Sequence, residues 1–187
     1  MGFFDAASPQ DATPETRWSN GAADEVWDGW GTMLPGVVNR RLVVARSTEA
    51  VVAVTSLHAY PDGFAVTWTA VWLPPVGRRI HRADIGVWLG ADRLPDELLR
   101  LGVQFADGRK ATNLDVERYN PADSPVLDSD GGDGGNHQLR EHHRVRPHPP
   151  DGPLRFVCEW PVFGIPESSA AVDAGLVRAA AADVIAL

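Results

Sequence analysis

Apolar and polar positions alternate with period two through much of the chain, most regularly over residues 50–73, AVVAVTSLHAYPDGFAVTWTAVWL. The pattern predicts two strands that reverse at Pro61-Asp62-Gly63, where proline presets φ and glycine supplies the positive φ of a tight turn. Phe64, Val66, Trp68, Ala70 and Trp72 then share one pleat face, and Ala65, Thr67, Thr69, Val71 and Leu73 share the other. Neither face is strongly charged. Such strands belong in the middle of a sheet, with cover over much of both sides.

Further strands follow from the same signals. Residues 37–45 (VVNRRLVVA) read as the first, and residues 85–89 as a short one. Residues 93–101 (RLPDELLRL) are compatible with one helical turn, with Pro95 early and Asp96 and Glu97 at its positive end. Residues 101–105 and 109–114 form a second hairpin around Asp107-Gly108. Residues 115–136 carry no pattern and read as a flexible loop, whereas residues 137–146 regain strand character.

After Asp151-Gly152, residues 154–162 alternate cleanly. Leu154, Phe156, Cys158, Trp160 and Val162 point inward, while Arg155, Val157, Glu159 and Pro161 point outward. The period then changes, and alanine-rich residues 169–183 read as a helix capped by Ser168 or Ser169, with Val172, Leu176, Val177 and Ala180 along its buried stripe. Gly175 inside that helix suggests close approach to a neighbour.

Seven or eight short strands between Asp-Gly and proline turns fit an antiparallel β-sandwich, Ig-like or C2-like in outline, with one C-terminal helix. The organisation read from the chain is an arm at residues 1–35, its first dozen residues disordered and the rest irregular, followed by a single domain at residues 36–187. At 187 residues the chain has the length of one domain with an arm. Seven tryptophans against two tyrosines concentrate apolar area in few side chains, and core packing is their first reading.

Charge narrows the partners. With 17 Lys+Arg against 25 Asp+Glu the formal charge is −8, and Lys110 is the sole lysine. That balance disfavours nucleic acid and anionic membrane surfaces. No run reaches the roughly 18 apolar residues of a membrane-spanning helix, and MGFFDAASPQD lacks the pattern of a signal peptide. The lone Cys158 excludes an internal disulfide, so a soluble cytoplasmic protein is expected. Cys158 lies in the apolar file of its strand and reads as a packed thiol.

Candidate chemistry is sparse. Asp128, Asp130 and Asp133 place oxygen donors at short spacing, as a Ca²⁺ site requires, but the EF-hand pattern is not met. His137, His142, His143 and His148 crowd into twelve residues without zinc spacing, and adjacent His142 and His143 should face opposite sides of a strand. Arg78, Arg79 and Arg82, beside His81, make the densest basic loop and a weak candidate binding site. Arg140, Arg144 and Arg146 form a second basic group, and in a chain of net −8 both groups either neutralise the chain's own acids or meet an acidic partner. Glu159 and Glu167 are possible paired carboxylates with no visible partners. No nucleophile elbow, P-loop or dinucleotide fingerprint is present, so no catalytic residue and no cofactor is assigned.

At LPGVVNRRLVVARSTEAVVAVTSLHAYPDGF, at LGVQFADGRKATNL and at GPLRFVCEWPVFGIPESSAAVDAGLVRAAA the chain resembles a family of uncharacterised actinobacterial proteins. These stretches span about two fifths of the sequence, and the Asp-Gly turns and the Cys-Glu-Trp-Pro strand carry the likeness. The family has no established activity, so the resemblance implies no catalytic residue. The chain departs from it at HHRVRPH, before Pro149, where the relatives are rich in tryptophan, so the resemblance does not extend to that strand.

Three function classes follow as expectations. The first is a non-enzymatic binding or assembly module working through a sheet face or its loops. The second is a metal-dependent or hydrolase-like enzyme using residues 137–148 with the acidic loop. The third is an obligate homo-oligomer joined through exposed tryptophans, so the partner is either another protein or a second copy.

Overall fold

The computed structural model describes residues 2–4, 28–73, 94–115 and 124–187. Twelve strand segments run through these residues: β1 (Met33–Leu34), β2 (Gly36–Val38), β3 (Leu42–Arg46), β4 (Ala50–Tyr60), β5 (Gly63–Trp72), β6 (Arg100–Gln104), β7 (Lys110–Thr112), β8 (Val126–Gly134), β9 (Gln138–Arg146), β10 (Pro153–Trp160), β11 (Ile165–Asp173) and β12 (Ile185–Ala186). Among the described residues there is one α-helix, α1 (Ala174–Ala181), which follows β11. Eight of the strands have five residues or more, which matches the seven or eight expected.

Every pairing is antiparallel. The large sheet has the order β2-β4-β5-β9-β8, with β3 also paired to β4, and the small sheet has the order β11-β10-β6-β7. The two sheets form a sandwich whose edges approach each other, β3 beside β11 and β7 beside β8. β1 and β12 make a separate two-stranded pair.

The core lies where the inward files meet. Val52, Val54, Leu57, Phe64 and Trp68 of the large sheet face Leu101, Val103, Leu154, Phe156 and Trp160 of the small one. Trp68 meets Phe156 edge to face at 5.6 Å, and Trp72 meets Trp160 at 5.5 Å and 87°. Such a pair contributes about 0.5–1.5 kcal/mol beyond the area it buries. Trp160 keeps its polar edge satisfied by donating from Nε1 to the Glu97 carbonyl at 3.0 Å. Trp30, Trp68, Trp72 and Trp160 are all buried, so none of these four is the exposed tryptophan expected at an oligomer interface; Trp18, Trp27 and Trp88 lie outside the described residues.

The hairpin of residues 50–73 forms as expected, and β5 runs centrally between β4 and β9. Cover is one-sided, however. Phe64, Val66, Trp68 and Ala70 are buried, while Thr67 and Thr69 are only half-buried and Val71 is exposed. The turn takes Pro61 and Asp62 alone, since Tyr60 pairs directly with Gly63. Gly63 does not supply a positive φ; a Cβ there would overlap the Val145 carbonyl, so glycine is needed for close approach of β9. The other two Asp-Gly turns use the left-handed region, at Gly108 (φ 90°) and Gly152 (φ 114°).

Four further expectations are corrected. The strand at residues 37–45 is broken into β2 and β3, which pair with opposite ends of β4. Residues 115–136 are not one flexible loop, because Val126–Gly134 is the edge strand β8. Its glycines and aspartates disfavour a strand by propensity, but Asp130-Gly131 bulges out of the ladder with Gly131 at φ 96°, and β9 supplies arginines to the aspartates. Acid and glycine on an edge also blunt it against pairing with other chains.

The C-terminal helix is shorter than residues 169–183. Residues 165–173 pair with β10 instead, so the ladder overrides the helix preference of Ala170 and Ala171 and the cap expected at Ser168 or Ser169. Asp173 caps the helix, accepting from the Gly175 N–H at 2.9 Å. Val177 and Ala180 are buried, whereas Leu176 is exposed. Close approach occurs under Ala180 at Gly36 of β2, not at Gly175. Finally, residues 2–4 pack against the small sheet, with Phe4 buried among Leu98, Leu114 and Val157, in place of the disorder expected there; residues 5–12 of that stretch lie outside the described residues.

β10 matches its expected alternation as far as Trp160; Pro161–Phe163 then forms a 3-10 turn and Gly164 (φ 62°) leads into β11. Residues 94–99 supply a single turn, closed by the Leu98 N–H on the Pro95 carbonyl at 3.2 Å. The expected strand at residues 85–89 lies outside the described residues.

Candidate binding face

The outer face of the large sheet collects most of the polar residues singled out in the sequence. Register sets its rows: Ser56 stands opposite Thr67 and Thr67 opposite His142, while Ala53, Thr69, Arg140 and Asp133 form the next row. A bulge between Val54 and Ser56 adds Thr55 to the same surface.

These groups bond to one another. Thr55 Oγ1 lies 2.8 Å from Thr69 Oγ1, Ser56 Oγ donates to Thr67 Oγ1 at 3.2 Å, and Thr67 Oγ1 is 3.1 Å from His142 Nδ1. The result is a ladder of two hydroxyl pairs, joined where Thr55 Oγ1 donates to the Thr67 carbonyl at 3.3 Å, with the Ser56–Thr67 pair reaching the His142 imidazole. Cross-strand threonine and serine pairs of this type stabilise a sheet modestly.

Arginines border the ladder, and each meets an aspartate. Arg144 pairs with Asp130 at 2.6 Å, Arg146 with Asp62 at 2.9 Å and Arg140 with Asp133 at 3.6 Å. The second basic group thus neutralises the chain's own acids. At one end Trp30 stacks on Tyr60 at 3.9 Å, donates from Nε1 to Asp62 at 2.7 Å and lies under the Arg144 guanidinium. Burial acts to raise the Asp62 pKa, but the bonds from Arg146 and Trp30 outweigh it and hold the carboxyl below its ordinary range. At the other end Val43, opposite Ala53, and Val71, opposite Val51, leave apolar surface exposed.

The histidines are dispersed. His142 joins the outer ladder, and His143 is buried on the inner face, as adjacent strand positions require. His137 is exposed at the β8–β9 turn, and His148 donates from Nε2 to the Tyr60 carbonyl at 2.7 Å. Asp128 stands opposite Arg144 in the ladder. Among the described residues no three His, Cys, Asp or Glu side chains gather as a metal site would need. Glu159 pairs with Arg100 at 2.5 Å and Glu167 accepts from the Phe3 N–H, so these carboxylates serve different partners. Arg78, Arg79 and Arg82 lie outside the described residues.

His143 and Glu141 share the inner face of β9, with His143 Nε2 at 3.8 Å from Glu141 Oε2. Desolvation, reinforced by His142 and opposed by Asp130, lowers the His143 pKa to about 4, so the ring is neutral at pH 7. Burial and the neighbouring Glu159 push the Cys158 thiol up to about 12, which makes it a packed, unreactive group.

Concavity is found elsewhere, in a groove of about 420 Å³ where α1 meets the break between β2 and β3. Val37, Val38, Leu176 and Ala179 line it, with Arg40 and Asp183 among its polar groups. The hydroxyl ladder is the feature that residue-by-residue reading missed; its signal was Thr67 and Thr69 on one face, and its other half sits on β4 and β9. Comparison with family models, curated proteins and solved structures finds no match to this chain.

Proposed function

We propose that the chain is a non-enzymatic binding or assembly module whose working surface is the outer face of the large sheet. One observation supports this above the others: the face joins a self-bonded row of hydroxyls to the exposed Val43 and Val71, with its arginines already matched by aspartates. A charge-compensated surface with an apolar end suits another protein surface better than a free anion. Among the described residues no helix is long and apolar enough to cross a membrane. With its cysteine buried and unpaired, the module is suited to a reducing cytoplasmic setting.

Light scattering over a wide concentration range, with Val71→Arg as control, tests assembly. Concentration-dependent association that the variant loses supports the reading. A second reading rests on the contact between Thr67 Oγ1 and His142 Nδ1, a hydroxyl and an imidazole within reach of proton transfer. Ester hydrolysis by the wild-type chain that disappears in both Thr67→Val and His142→Ala would replace the binding reading with a hydrolase-like one.

A further inference from the structure

The outer face of the small sheet has a hole in it. Gly102 of β6 stands between Val157 of β10 and Thr112 of β7 and presents no side chain. The Phe3 ring covers that gap, and a Cβ at Gly102 would overlap the ring. Beside it Phe4 fills a recess made by Leu98, Leu114 and Val157, with Leu94 at its margin. The two rings meet edge to face at 5.0 Å.

Recognition extends to the main chain. The Phe3 N–H donates to Glu167 Oε2 at 2.5 Å, and Lys110 donates from Nζ to the Phe3 carbonyl. The same ammonium lies 4.8 Å from the centre of the Phe3 ring. Glu167 and Lys110 come from β11 and β7, far from Phe3 in sequence, so strands of the folded sheet build the site. Two ring positions and one backbone N–H and C=O are what a peptide reader grips: apolar pockets for side chains and fixed partners for the backbone.

We propose that this recess is a peptide-docking site for a Phe-Phe dipeptide, filled in cis by Phe3 and Phe4, and that an extended segment of a partner protein bearing two consecutive phenylalanines fills it in trans. Cis occupancy is an intramolecular competitor. A tethered ligand acts at an effective concentration on the millimolar scale, so a free peptide meets a nearly closed site in the wild-type chain and an open one once the two rings are removed. The site lies on the small sheet, and nothing in it depends on the large-sheet surface.

The test is fluorescence anisotropy with a labelled Gly-Phe-Phe-Asp-Ala peptide and the full chain carrying Phe3→Ser and Phe4→Ser. The expected result is saturable one-to-one binding that is at least about tenfold tighter than to the wild-type chain. It should be absent with a Gly-Ser-Ser-Asp-Ala peptide and weakened when Lys110→Met is added. No saturable binding to the folded double variant, or equal affinity for wild type and variant, overturns the proposal. Should the double variant not fold, 4-fluorophenylalanine at position 3 of the otherwise wild-type chain reads the same competition. Displacement of its ¹⁹F resonance by excess peptide supports the proposal, and an unmoved resonance overturns it.

Discussion

Gly36 lies so close beneath Ala180 that a Cβ on the glycine would overlap the Ala180 carbonyl oxygen. An edge strand and a helix are locked together at one backbone contact, which brings Val177 and Ala180 down onto the core. Gly36→Ala must push α1 away. The expected cost is about 1–3 kcal/mol, the range for overpacking, read as a lower urea midpoint at unchanged slope.

His143 predicts a pH dependence. Its pKa is near 4 in the folded chain and about 6.5 when unfolded. Between those values the unfolded state binds the extra proton, so stability is greatest above pH 6.5 and falls as pH drops towards 4, by on the order of 3 kcal/mol from this group. In His143→Gln the difference between urea midpoints at pH 7 and pH 4.5 should shrink. An unchanged difference would show that the ring is solvated in the native state.

Cys158 should be silent to thiol reagents. The side chain is fully buried and its pKa is pushed up to about 12, so thiolate is scarce and reagent cannot reach it. Labelling by a chromogenic disulfide should be negligible in buffer and complete in denaturant, with a rate that follows opening of the fold. Fast labelling in buffer would contradict the packing of β10.

Among the contacts of Trp30, its stack on Tyr60 and its bond to Asp62 can be separated by substitution. Trp30→Phe retains a stacked ring but loses the N–H donor, and should cost about 1 kcal/mol. Trp30→Ala loses both and should cost about 3–5 kcal/mol if the site does not collapse. Denaturation of the two variants side by side checks the order.

Local features were the legible part of this fold. The Pro61-Asp62 and Asp107-Gly108 reversals, the bend at Asp151-Gly152 and the inward file Leu154, Phe156, Cys158 and Trp160 all depend on neighbours a few residues away. The opposite facing of His142 and His143 was legible for the same reason, since strand period alone dictates it. The misread segments were those whose composition favours another state and which become strands only by pairing. Val126–Gly134 looks unstructured until β9 pairs with it, and residues 165–173 look helical until β10 does.

By itself, then, the order of residues determined the periods of the apolar strands, their turn positions and the face each of their side chains takes, because these are set by sterics and burial along a few neighbouring residues. Only the tertiary structure decided which hairpins meet. It alone brought Ser56 and Thr67 into line with His142, and laid Phe3 over the gap at Gly102. The physical reason is that these contacts join strands far apart in the chain, where complementarity of shape and charge is a property of the assembled sheets and leaves no periodic trace in either segment.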